Sequence, residues 1–408
     1  MRFLFQLPRA SSALFPNRHY CMKNVTFFRI IPILPLAFAV GVASAQTPGP
    51  SAATPAASDS AGAHATPDTA VTVAFGGFVD SYYAYDFGRP VNFDRPFTTQ
   101  AVRHNEFNVN LAYVEAIVTG GRVRGRLALQ AGTSVQSNYA GEPAIGSVSG
   151  PSLSRFIQEA VAGYQITPSL WIDGGIFFSH IGEESFISRD NLTYTRSLSA
   201  EFTPYYESGV RLVWQATPRL SAHFHVVNGW QNISENNQDK AVGMRFDYAR
   251  SSSTTFSYYN FIGNEAASDR LRVFNGVGFH AGLTPAFSLQ GNFDYGTQQK
   301  AQNAGSSSWW STGLMGKLQV TPVVGVSGRV ERYQDPDQVI VATGSPGGFK
   351  ATTASVGVDF SPVGPTRVLW RNELRGTWAG DAIFPNRSAP TGTSRTDTLL
   401  VTSLALTF

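Results

Sequence analysis

From residue 71 onward, apolar side chains recur at every second position. Phe287, Leu289, Gly291, Phe293 and Tyr295 fall on one side of an extended segment. Ser288, Gln290, Asn292 and Asp294 fall on the other. Val242, Met244, Phe246 and Tyr248 oppose Gly243, Arg245 and Asp247 in the same way. Val356, Val358 and Phe360 oppose Ser355, Gly357 and Asp359. The chain ends on this pattern: Leu400, Thr402, Leu404, Leu406 and Phe408 share one face, against Leu399, Val401, Ser403, Ala405 and Thr407. A period of two marks β-strands with unlike faces.

The runs are punctuated in two ways. Thr167-Pro168, Thr217-Pro218, Thr284-Pro285, Thr321-Pro322 and Ser361-Pro362 each close one run and open the next. Proline fits there because it fixes φ and needs no ladder hydrogen bond. Gly120-Gly121 and Ser251-Ser252-Ser253 complete seven short turns. Between them lie eight longer polar segments at 88–104, 134–153, 181–203, 229–239, 262–269, 297–307, 334–348 and 379–394. Fifteen connections predict sixteen antiparallel strands, with both ends of the sheet on the short-turn side. So many two-faced strands suit a closed barrel with an aqueous lumen better than a sandwich. The expected fold is an all-β, closed antiparallel transmembrane β-barrel with short periplasmic turns and long extracellular loops. Tyr83, Tyr85, Tyr164, Trp214, Trp310, Trp378 and Phe408 stand near strand ends and suit interfacial girdles.

Composition agrees. Only 14% of residues are charged, 12% are aromatic, and mean hydropathy is −0.10, too polar for a bundle of membrane helices. The formal charge of +3 is misleading. Arg2, Arg9, Arg18, Lys23 and Arg29 lie in residues 1–45, which hold no acid. Taking these five from 31 leaves 26 basic against 28 acidic residues, a net of −2. That leaves no basic footprint for nucleic acid. Lys23 and Arg29, an apolar run over 30–42 and Ala43-Ser44-Ala45 read as a secretory signal cleaved after Ala45, with Met22 as its start. Residues 46–70, rich in Pro, Ala, Ser and Thr, read as a linker, and 71–408 as the barrel. The single Cys21 falls in the removable segment, so the mature chain has no disulfide.

With apolar groups toward lipid, alternate charged residues face the lumen. Arg122, Arg124 and Arg126 form one ladder; Arg367, Arg371 and Arg375, with Glu373 among them, form another. Glu159, Arg211, Arg245, Arg329 and Glu331 add single contributions. These charges read either as rings that set ion preference or as neutralising pairs that only hydrate the wall, and the basic ladders tilt toward anions. The third long segment carries Glu183, Glu184, Arg189, Asp190, Tyr194 and Arg196. It reads either as a loop folded inward to narrow the pore or as an exposed surface loop. Ser221, His223 and His225 share one strand face, but hydrated lumen wall accounts for them better than a nucleophile and base do. No Cys cluster, calcium loop or phosphate loop is evident, so neither a metal nor another cofactor is expected.

Several stretches together resemble the putative β-barrel porin-2 family of bacterial outer membranes. They are Gly77-Phe78-Val79-Asp80-Ser81-Tyr82-Tyr83, Asn105-Glu106-Phe107-Asn108-Val109-Asn110-Leu111, the run GIFFSHIGEE at 175–184, 191–197, 204–211, and Asn228-Gly229-Trp230-Gln231-Asn232. The end of the chain also looks like the last strand of outer-membrane barrels, whose assembly machinery favours a terminal aromatic, here Phe408. The resemblance implies a passive diffusion channel for small hydrophilic solutes in a Gram-negative outer membrane. It brings no catalytic residues and no defined substrate. Analogy with sixteen-stranded porins adds a homotrimer and a narrowing third loop. A loop-plugged barrel serving as adhesin, receptor or envelope structure is the competing reading.

Overall fold

The computed structural model describes residues 70–265, 270–301, 304–363 and 367–408. The expected signal segment at 1–45 and nearly all of the expected linker lie outside them. The described chain forms strands β1 (Thr72–Asp86), β2 (Phe107–Gly120), β3 (Val123–Ala131), β4 (Ile157–Thr167), β5 (Leu170–Phe178), β6 (Tyr206–Thr217), β7 (Leu220–Val227) and β8 (Ala241–Ser251). They are followed by β9 (Thr254–Glu265), β10 (Arg270–Thr284), β11 (Phe287–Gln299), β12 (Ser306–Thr321), β13 (Val324–Asp335), β14 (Phe349–Phe360) and β15 (Val368–Ala379). A small hairpin of β16 (Phe384–Pro385) and β17 (Thr393–Ser394) sits in the last loop, and β18 (Thr396–Thr407) ends the chain.

Sixteen of these strands close into one antiparallel barrel, each beside its neighbour in sequence, with β18 between β15 and β1. Closure removes the sheet edges that lipid could not satisfy. The seam runs from Phe78↔Thr407 to Asp86↔Leu399. At its foot the backbones of Gly77 and Phe408 exchange two hydrogen bonds, of 3.0 and 3.1 Å. A Cβ on Gly77 would lie 2.4 Å from the Phe408 ring, so a larger residue there would have to displace the terminal aromatic.

The recurrent Thr-Pro turns have a shared local cause. The hydroxyls of Thr217, Thr284 and Thr321 each accept from two backbone N–H groups of their turn, at 3.0–3.3 Å. Beside each, the register slips by one residue, as it does at Gln165/Thr167 and Ala249/Ser251. A threonine acceptor, a proline and a bulge together make a compact reversal.

Burial is inverted relative to a water-soluble protein. Phe75, Leu127, Val210, Phe224, Val277, Phe293, Leu314, Val330, Val356, Leu374 and Leu404 are exposed on the outside, whereas Glu207, Arg329, Glu331, Arg371 and Glu373 are buried inside. A continuous apolar belt of this size requires lipid. The two faces fall in the register read from the sequence: Leu400, Leu404 and Leu406 point out, and Leu399, Val401, Ser403 and Ala405 point in. Tyr164, Trp214 and Phe408 are exposed near the short-turn rim and Trp378 near the long-loop rim, while Tyr83, Tyr85 and Trp310 are partly covered.

One boundary differs clearly. The fifth long segment does not begin at 262, because β9 runs on to Glu265 and β10 starts at Arg270. Ile262 still faces out and Glu265 in; Gly263 and Asn264 hide an alternation that continues.

Candidate functional site: an infolded loop facing a charged wall

The third long loop, residues 179–205, lies inside the barrel. It contains a 3-10 turn (Ser188–Asp190) and a short helical turn (Leu198–Glu201) capped by the Ser197 hydroxyl, which accepts from Ala200 N at 3.1 Å. Strand charges grip its backbone. Arg371 donates to the carbonyls of Ser188, Asn191 and Leu192 at 2.7–3.1 Å and pairs with Asp359 at 3.1 Å. Arg329 donates to Thr193 Oγ1 at 2.7 Å and to the Thr195 carbonyl, while Glu373 accepts from Thr195 N at 2.7 Å and from its hydroxyl at 2.8 Å. Glu331 accepts from Leu198 N, and Arg375 approaches Glu331 at 3.4 Å. At the near end Arg245 donates to the carbonyls of His180 and Gly182 and pairs with Glu183 at 3.2 Å.

The loop's own charges complete the fixation. Arg196 is fully buried, stacks 4.0 Å over Tyr205, and reaches Thr99 of the first loop at 2.6 Å. Glu184 accepts from Ser197 N and Oγ. Tyr194 is buried among Tyr82, Ala84, Ala101, Leu399 and Val401. Arg189 reaches Thr407 Oγ1 and pairs with Asp190 at 3.3 Å. Desolvation pushes the Glu183 and Glu184 carboxyls up, opposed by Arg245 at the first and by Arg329 and Ser197 at the second.

The charges named from the sequence therefore divide into three groups. Arg329, Glu331, Arg371, Glu373 and Arg375, on β13 and β15, are covered by the loop. Across the lumen, on β2–β8, the charges pair with one another yet stay open to the interior. Arg124 and Arg211 share Asp173 at 2.7 and 2.9 Å and keep 32% and 22% of their side chains accessible. Arg126 bridges Glu115, at 2.6 Å, and Glu159. Arg245 pairs with Asp247 at 2.9 Å, with 18% and 21% accessible. The third group is a correction. Arg122 and Arg367 precede the first residues of β3 and β15, in the short turns, and do not extend the lumen ladders. Arg122 donates to the Gln165 and Ile166 carbonyls of the next turn and lies 4.7 Å over Tyr164. The alternation is broken by the turn, so stepping back by two from Arg124 leaves the strand. Lys317, which the alternation of β12 also turns inward, pairs through its amine with Asp359 and stays 23% accessible.

The other loops pack on the third. Trp230, Phe261, Phe274, Trp309, Tyr333 and Phe349 form an apolar cluster inside the long-loop end of the barrel. In the second loop, helix α1 (Thr133–Asn138) is followed by Tyr139, which stacks on Tyr206 at 4.2 Å.

A sequence profile described as putative beta-barrel porin-2, OmpL-like, matches residues 72–408. The chain belongs to this family. The porin-2 barrel is thereby an integral outer-membrane protein with a porin fold. Among solved structures it is similar to the anion-selective porin from Comamonas acidovorans, at 12% identity over 83% of this chain and 100% of the other, TM-score 0.53. The outer membrane channel DcaP of Acinetobacter baumannii gives 12% identity over 83% and 97%, TM-score 0.55. The trimer form of OmpT, an outer membrane protein of Vibrio cholerae, gives 7% over 83% and 100%, TM-score 0.53. At these identities the likeness is one of fold. No curated protein matches the chain.

Three residues that the sequence did not connect also meet in this porin-2 lumen. His180, Glu207 and His225 bring their ring nitrogens and carboxylate within 4.8 Å of one another, all buried. They come from the third loop, β6 and β7, and no local spacing announces them. Ser221 makes no hydrogen bond to His223 among the described residues.

Proposed function

We propose that this porin is a passive diffusion channel for small hydrophilic solutes, narrowed between the third loop and the β2–β8 wall and biased toward anions. The carrying observation is the asymmetry of accessible charge. In the lumen, Arg124, Arg126, Arg189, Arg211, Arg245 and Lys317 keep a sixth or more of their side chains open. Among the acids, Glu115, Asp190, Asp247 and Asp397 keep 14%, 30%, 21% and 14%. Cations outnumber acids where solute would pass, although acids outnumber cations in the mature chain. Low-dielectric walls strengthen such a field. Outer-membrane lipid surrounds the belt. The barrel assembly machinery would read the strand that ends on Phe408, and the assembled form would be a homotrimer.

One observation favours a second reading. The apolar clusters inside the barrel, one at the long-loop end and one reaching into the short-turn half, are built as a protein core is, and they support a loop-plugged barrel acting as adhesin, receptor or envelope protein. Swelling of liposomes carrying refolded protein separates the two. Entry of small sugars with a sharp size limit supports the channel. No swelling from a folded, inserted barrel overturns it in favour of the plug.

A further inference from the structure

His180 opens the infolded loop, and its side chain is wholly enclosed. Its Nε2 lies 2.7 Å from the carbonyl of Asn260 on β9, which makes Nε2 a hydrogen-bond donor and leaves Nδ1 facing Glu207. His180 Nδ1 stands 3.1 Å from Glu207 Oε2 and 2.8 Å from Oε1. His225 Nδ1 faces the same carboxylate, 3.2 Å from Glu207 Oε2, while its buried Nε2 makes no hydrogen bond. A fully enclosed imidazole with an unpartnered nitrogen is costly in a protein interior. The two imidazoles stack at 4.2 Å, and Ser179 Oγ donates to Glu207 Oε1 at 2.8 Å, orienting the carboxylate.

We infer that His180, Glu207 and His225 bind one divalent transition-metal ion of the zinc type. Donors about 2.1 Å from a tetrahedral ion are about 3.4 Å apart, close to the 2.8–3.2 Å spacings here. An ion between them would take the His225 Nδ1 lone pair that now faces the carboxylate. Two imidazoles and one carboxylate select zinc, cobalt or nickel over magnesium or calcium, which prefer oxygen. The His180 contact to Asn260 and the Ser179 contact to Glu207 are the outer hydrogen bonds that metal ligands commonly carry. Because the ligands span the loop, β6 and β7, the ion would pin the loop's first residues to the wall and enter as the loop seats. The inference does not depend on whether the lumen conducts.

The test uses untagged, refolded protein dialysed against ZnCl2 and then against metal-free buffer, with CoCl2 in a parallel sample for its visible absorption. The expected result is one retained zinc per chain and a cobalt spectrum of low coordination number. Glu207→Gln, which keeps the shape, and His225→Ala should abolish both. Gly243→Ala should weaken binding about 10–100-fold, as outer-shell changes do, because its Cβ would stand 2.3 Å from the His180 ring. No retained zinc in the wild type, or retention unchanged by Glu207→Gln and His225→Ala, overturns the site. Should His225→Ala fail to fold, Glu207→Gln and the wild-type cobalt spectrum decide.

Discussion

A single arginine shows how the infolded loop is held. Arg371 has three loop carbonyls and Asp359 as partners and is 1% exposed. Arg371→Ala would strip those carbonyls of their donor and leave Asp359 with Lys317 alone. Breaking a buried ion pair from one side costs roughly 3–5 kcal/mol. The expected outcome is a loosened loop in an intact barrel: noisier, larger single-channel currents with normal heat-modifiability. Glu183 and Glu184 carry a pH dependence. Their carboxyls are raised by desolvation in the seated loop, so the seated form holds its protons more tightly than the released form. Seating is then strongest below the ordinary glutamate range and weakens as pH rises through and above it. Loop-opening events should be rarer at pH 4 than at pH 7, and Glu184→Gln should flatten the difference. At Gly77, substitution by Val should collide with the Phe408 ring and lower the yield of closed, heat-modifiable barrel. The same barrel yield from wild type and variant would contradict that account of the seam.

At the level of elements, the strands were legible because lipid and water impose opposite demands on alternate residues over long runs. The Thr-Pro turns were legible because proline and a side-chain acceptor act locally. The fate of the third loop was not, because its fixation depends on residues far away in sequence: Arg245, Arg329, Arg371, Glu331 and Glu373. The same applies to the division of lumen charges. Arg124 and Arg371 look alike along the chain, yet one borders the passage and the other is covered by the loop. The meeting of His180, Glu207 and His225 was missed for this reason, and Arg122 was placed wrongly because a period of two carries no signal for where a strand stops. Deleting residues 185–199 removes most of the loop and uncovers Arg329, Arg371 and Arg375. Single-channel conductance should rise and anion preference should strengthen. Unchanged conductance with normal insertion would mean that the loop does not border the passage.

For the whole molecule, net charge and local charge point in opposite directions. Residues 46–408 carry a net −2, while the water-reached lumen set has cations in excess. Acids in that set pair with cations instead of lining a separate wall, so the field across the passage follows the unpaired excess. The proposed passage runs along the β2–β8 wall, where the accessible charges lie. The most direct test is the reversal potential of purified, refolded protein in a planar bilayer under a KCl gradient, with Arg124→Ala/Arg211→Ala measured alongside. The expected result is discrete conductance steps with a reversal potential of anion-selective sign, moving toward zero in the double variant. A cation-selective sign, or silence from an inserted, folded barrel, would contradict a channel governed by these arginines.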